Sequence, residues 1–283
     1  MAGVSMKDIK SRIKSMESTK QITRAMEMVA ASKLRSAQER ALASRPYFET
    51  LYSTMHDIAE ANTDLSSPYV SKDRGDKTCY VVIAGDRGLA GGYNNNVLKL
   101  ALADMQGKEA VVVPVGKKAM EFFRNRGAEI YSSRYPEADD MLSEDCEAMA
   151  QMLCRGYLAG EFDRLAICYT NFVTVLTQTP AILPLLPLSI DGKGSNGAAH
   201  SVTEYEPDSE TVFNIIVPEY LGGVIYGALR ESIASEQAAR RTAMDSATKN
   251  AEEMIDGLSL QYNRARQGAI TQEITEIVAG AET

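Results

Sequence analysis

The sequence predicts an α/β domain flanked by two unusually long terminal helices. Three observations carry that expectation. From Met1 to about Leu65 a helical pattern is interrupted only by Pro46, and beyond Pro218 there is no proline at all. Between these stretches, short apolar runs alternate with helical segments, the pattern of a largely parallel sheet. Helices at opposite chain ends can meet only if the middle folds back. A compact domain carrying a two-helix stalk follows, a shape that suits a shaft, lever or strut better than an enzyme pocket.

The first helix is expected from near Ser5 to about Ala61. Ile9, Ile13, Met16, Thr23, Met26, Val29 and Ala30 give a stripe at helical spacing. Six alanines between Ala25 and Ala43 raise helix propensity and keep the rod thin. Pro46 predicts a kink or short break, because proline removes a donor and clashes with the preceding turn. Ser66–Lys77 reads as a connector. Strands are then expected at Thr78–Ala84, Glu109–Val115, Ala128–Ser132, Arg164–Val173 and Val175–Leu188. Helices are expected at Gly92–Met105, Gly116–Arg126 and Ser143–Leu158, the last with Ser143 as N-cap. Pro180, Pro184 and Pro187 push the last strand to a sheet edge or out of the sheet. Asp191–Ser201 reads as a loop, and a turn at Tyr205–Asp208 leads into the last helix, starting before or near Pro218. The resulting division is 1–65, 66–207 and 208–283.

Register counting on the last helix selects Ala247, Ala251, Met254, Leu258, Gln261, Ala265, Gly268, Gln272, Thr275 and Ala279 as a seam at alternating steps of four and three. Its side chains become small and polar toward the end and bury little surface. Ile270, Ile274 and Ile277 form a second stripe on another face of the same tip. Glu273, Glu276 and Glu282 sit where the helix macrodipole disfavours anions, so helix stability does not explain them. A surrounding partner does. A fraying terminus is the plainer alternative.

Composition excludes several classes. The net charge of −8 argues against nucleic acid as the main partner. The charge is uneven: Met1–Arg45 is rich in Lys and Arg, Glu129–Glu161 in acids, and a basic arm on an acidic protein suits an acidic partner surface. No run of about 18 apolar residues is apparent, so no membrane span is expected, and no apolar leader opens the chain. Four scattered cysteines and two histidines make no metal pattern. Cys79 and Cys168 read as buried small hydrophobes. Gly85–Tyr93 (GDRGLAGGY) follows a strand and precedes a helix, as a phosphate-binding turn would. Its spacing is not G-x-G-x-x-G and no G-K-[ST] follows, so tight turning and close packing explain the glycines better. Neither histidine belongs to a nucleophile–base set. No catalysis and no cofactor are expected of this chain alone.

The segments Gln21–Arg35 (QITRAMEMVAASKLR), Asp86–Asn94 (DRGLAGGYN), Glu236–Arg240 (EQAAR) and Tyr262–Gly280 (YNRARQGAITQEITEIVAG) closely resemble the gamma subunit of F-type ATP synthases, in order and over essentially the whole chain. The resemblance implies a Rossmann-like α/β domain plus a long antiparallel coiled coil of the N- and C-terminal helices. It implies a non-catalytic central-stalk rotor, coupling ion-driven c-ring rotation to ATP synthesis or hydrolysis on the beta subunits of an alpha3beta3 ring. Implied partners are alpha, beta, epsilon and the c-ring. By resemblance, Arg24, Met26, Arg266, Gln267, Thr271, Glu273 and Glu276 contact beta, Glu236 and Arg240 act within the coil, and Tyr205, Glu206 and Asp208 face the c-ring side. Each of these residues also has a reading as coil packing or a solvated face. The central region lacks the cysteine pair of the chloroplast type, and no Arg-rich leader is present. The resemblance therefore implies a bacterial protein held peripherally at the cytoplasmic side of the cell membrane through the c-ring. Two rival readings remain at this stage: a static coiled-coil scaffold with an α/β domain, and a nucleotide-dependent enzyme using the Gly85–Gly92 turn.

Overall fold

The computed structural model describes residues 5–61, 67–70, 75–188 and 206–281. In order, the elements are α1 (Met6–Ala61), β1 (Thr78–Ile83), α2 (Tyr93–Met105), β2 (Ala110–Val115), α3 (Lys117–Arg124), α4 (Ser143–Ala159), β3 (Arg164–Phe172), β4 (Gln178–Leu186) and α5 (Ser209–Ala281). The chain divides into two compact units, Met1–Ala31 with Arg240–Thr283, and Ser32–Ala239. Both long helices contribute to each.

The second unit holds a four-stranded sheet in the order β2-β1-β3-β4. β1 is parallel to β2 and to β3, and β3 is antiparallel to β4. Every residue of β1 is buried, as an unbroken apolar run between two covered faces requires. On one face Cys79, Val81, Ile83, Val113 and Ile167 pack with Leu34, with Met149 and Leu153 of α4, and with Leu221, Ile225 and Leu229 of α5. On the other, Tyr80, Val82, Val112 and Cys168 pack with Val97 and Ala101 of α2 and Phe123 of α3. β4 takes the edge, where Pro180 and Pro184 cost no ladder bond.

Several boundaries differ from those read in the sequence. The segment expected as a strand near Ala128 makes one isolated bridge, Ile130 to Val112. α3 ends at Arg124, and Gly127 takes positive φ just beyond it. The N-cap of α4 is Leu142 rather than Ser143, and the Asp145 carboxylate accepts the Leu142 N–H at 2.9 Å. α1 continues through Pro46. Proline removes a single ladder bond, and the turns on either side keep their own. α5 starts at Ser209, well before Pro218, which lies inside it. Asp208 sets that start: its carboxylate accepts the Thr211 N–H at 2.8 Å.

The expectation that no apolar stretch is long enough to span a membrane also needs correction. Within α5 a window of mean hydropathy 1.4 passes that test by length and composition, and 44% of it is buried inside the fold. Phe213, Val217, Leu221, Ile225 and Leu229 recur every four residues and are all buried in the sheet-bearing unit. The buried face of a core helix supplies the apolar residues that raise the hydropathy of such a window.

Candidate partner-contact surfaces

The coil is built in the unit made of residues 1–31 and 240–283. In α1, Ile9, Ile13, Met16, Lys20, Thr23, Glu27 and Ala30 are buried or half-buried at steps of four and three, whereas Val29 is 58% exposed and off the stripe. Facing residues on α5 are Met244, Thr248, Ala251, Ile255, Leu258, Tyr262 and Ala265. Thus Thr248, Ile255 and Tyr262 hold the seam positions assigned from sequence to Ala247, Met254 and Gln261; Met254 is 49% exposed. Polar groups fill the middle. Thr23 Oγ1 lies 2.7 Å from Thr248 Oγ1, Lys20 Nζ 2.8 Å from Glu252 Oε1, and Arg241 Nε 3.7 Å from Glu27 Oε1. The hydrogen bond and charge of Lys20 hold the Glu252 carboxyl below its ordinary range. Partners on α5 fall in number as those on α1 rise, so the helices are antiparallel.

The same register sets Met6, the first residue of α1, opposite about Ala265. α5 therefore runs past the end of α1, and from Arg266 to Gly280 every residue is exposed. Ile270, Ile274 and Ile277, 48–66% exposed, form one apolar face. Arg266 and Glu273 border it on one side, Gln267 and Thr271 on the other. The polar bonds here stay within the helix, with Thr271 Oγ1 donating to Gln267 O and Gln272 Nε2 to Glu276 Oε1, both at 2.9 Å. A bare turn-by-turn helix of about 15 residues is marginal in water. Among the described residues nothing covers this apolar face. Arg24 is exposed beside the half-buried Met26.

Glu236 lies elsewhere, in the sheet-bearing unit. It is buried, with its carboxylate against Gly85 at the end of β1: a Cβ added at Gly85 would meet Glu236 Cδ at 2.7 Å. Arg240 is half-buried. Glu206 is exposed, Asp208 caps α5, and Tyr205 lies outside the described residues.

The carboxyl ends of β1 and β3 mark the switch point where α/β sheets bind ligands. Here the chain fills that place itself. Asp86 accepts the backbone N–H groups of Lys117, Ala138 and Asp139, each at 3.1 Å, so a carboxylate holds the start of α3 where a bound anion would sit. Gly116 has φ 91, and a Cβ there would stand 2.1 Å from Ala84 O. Asn94 Oδ1 accepts the Gly85 N–H at 2.8 Å. The outermost residue of this turn, Leu89, is 63% exposed at φ 63. Ser232 Oγ accepts the Thr170 N–H and Ser235 Oγ donates to Thr170 O, both at 3.1 Å. The sequence reading missed Asp86, Ser232 and Ser235. An acidic residue directly after a strand-ending glycine was the available signal for the first; for the serines there was none. All four cysteines are buried and free, and burial pushes Cys146 and Cys168 up to about 12 and Cys154 up to about 11.

Over residues 5–283 the chain matches the family described as ATP synthase. It is 48% identical over 277 residues to an ATP synthase gamma chain of Ruminococcus albus, covering 96% of each. It is 42% identical over 295 residues to the sodium ion specific ATP synthase gamma chain of Acetobacterium woodii, covering 98% of each. Among solved structures it is similar to a chain of the Tetrahymena thermophila mitochondrial ATP synthase central stalk and c-ring, with TM-score 0.61, 25% identity, and coverage of 80% of this chain and 99% of that one. A chain of the Euglena gracilis mitochondrial enzyme shares the fold at TM-score 0.66 and 18% identity, covering 97% of this chain and 92% of that one. With the antiparallel coil, the mixed sheet and these relatives agreeing along the whole length, the chain belongs to the ATP synthase gamma-chain family.

Proposed function

We propose that this chain is the central-stalk rotor of an F-type ATP synthase. It couples ion-driven rotation of a c-ring to nucleotide chemistry on beta subunits. The observation that carries the reading is the tip of α5, exposed from Arg266 to Gly280 with an apolar face and no counterpart helix among the described residues. A ring of alpha and beta subunits around that tip supplies the missing surface. Arg24, Met26, Arg266, Gln267, Thr271, Glu273 and Glu276 are the contacts with beta, made of groups that break and re-form without deep apolar burial. The functional division follows residues 1–65 and 208–283 as shaft and 66–207 as base. Epsilon and the c-ring bind the base, with Tyr205, Glu206 and Asp208 toward the c-ring, and Glu236 and Arg240 serve coupling within the coil. The protein itself performs no catalysis. Asp86 and the α5 serines occupy the crevice a nucleotide would need, which supports this reading over a nucleotide-dependent enzyme. It sits peripherally at the cytoplasmic side of the cell membrane.

The test is reconstitution. Alpha and beta purified with this chain should form one complex whose ATPase activity is lost when the chain is omitted. In membrane vesicles, Arg266→Ala or Gln267→Ala should lower ion uptake per ATP hydrolysed, while the isolated chain keeps its stability within about 0.5 kcal/mol, as expected of exposed positions. Failure to assemble with alpha and beta would overturn the proposal.

A further inference from the structure

We propose that Ser232 and Ser235 pin α5 to β3 and so set the torsional stiffness with which the sheet-bearing unit turns the rest of that helix. The inference rests on the rotor reading. β1 pairs with β3 only as far as Val82 with Cys168, whereas β3 continues to Phe172 against β4. Thr170 lies in that overhang, opposite Pro180. Proline has no N–H to give, so Thr170 and Pro180 form a non-hydrogen-bonded pair, and the N–H and C=O of Thr170 point to the side that β1 has vacated. Ser232 and Ser235 meet both groups there, at 3.1 Å each.

The two serines are three residues apart and share one face of α5. One accepts and the other donates, so the pair fixes both the axial position and the rotation of the helix against the strand. Both are fully buried, and Thr170 is nearly so. With no water at hand, displacement leaves buried backbone groups unpaired, which makes the tether stiff. Packing around it by Leu229, Ile233 and Ala234 is non-directional and resists twist less. On the neighbouring turn Arg230 Nη2 donates to Met141 O at 2.6 Å, giving a further hold from another direction. Torque between base and shaft thus passes through a strand edge and three buried side chains.

The experiment uses the complex with alpha and beta, fixed by beta to a surface, with a bead on a single thiol introduced by Lys99→Cys. Lys99 is exposed on α2, and the native cysteines are all buried, so the label is selective. ATP first drives rotation, and the angular spread of the bead is then recorded after stalling with magnesium and ADP. Ser232→Ala/Ser235→Ala should widen the variance about two-fold, the effect of losing directional bonds. Leu229→Ala should lower the melting temperature without widening it. Ser235→Ala alone should fall between and serves if the double variant does not fold. Native spread in a folded serine variant, or equal widening in Leu229→Ala, overturns the tether. A native chain that never rotates overturns the rotor reading, and the tether with it.

Discussion

Gly85 and Glu236 show how a single pair joins two distant segments. The carboxylate occupies the space a side chain at position 85 would need. Gly85→Ala should therefore cost about 1–3 kcal/mol of stability by overpacking. Glu236→Ala in the same background should recover part of that loss, read as a non-zero coupling in a denaturant double-mutant cycle. Strict additivity would contradict the contact. Asp208 gives a pH-dependent prediction. Backbone and hydroxyl bonds from Thr211 hold its carboxyl below the ordinary range. Its contribution is complete above the ordinary carboxylate pKa of about 4 and is lost as pH falls through the lowered value. Asp208→Ala should flatten the acid limb of the melting-temperature profile below about pH 4 and leave its slope at neutral pH unchanged. An unchanged acid limb would count against the cap.

At the scale of elements, what could be read depended on how far apolar patterning alone sets position. β1 was legible because its run is apolar from Cys79 to Ala84 and a glycine follows. The prolines of β4 left a sheet edge or a place outside the sheet, and it takes the edge. The coil register was legible only in part. Its central seam is polar, with Lys20, Thr23 and Glu27 against Glu252, Thr248 and Arg241, and an apolar count therefore slid onto Met254. Packing around Thr248 and Ile255 decides the register instead. Ile255→Ala should cost the isolated chain about 1–2 kcal/mol, and Met254→Ala less than about 0.5 kcal/mol. Denaturant unfolding followed by helical circular dichroism checks the order; the reverse order would restore the sequence-derived seam. The start of α5 fell where the turn at Tyr205–Asp208 put it, ahead of Pro218, and Asp208 caps the helix there.

For the whole molecule, family and architecture were legible from long motifs at both ends, and the structure adds the reasons. One helix is first a core element and then a coil strand, so its composition shifts from apolar to polar along a single span. Its tip outruns α1, which the sequence could not reveal without the pairing of Thr23 with Thr248. The closed switch point was equally hidden, since it depends on residues more than sixty positions apart meeting at Thr170. The central claim is that this chain turns inside a ring while chemistry proceeds around it. Its most direct test is a bead on Lys99→Cys in the surface-held complex with alpha and beta, observed as ATP is added. The account predicts continuous rotation in one direction that stops when the α5 tip is cross-linked to beta. Steady ATP turnover with a stationary bead, or turnover untouched by that cross-link, would contradict it.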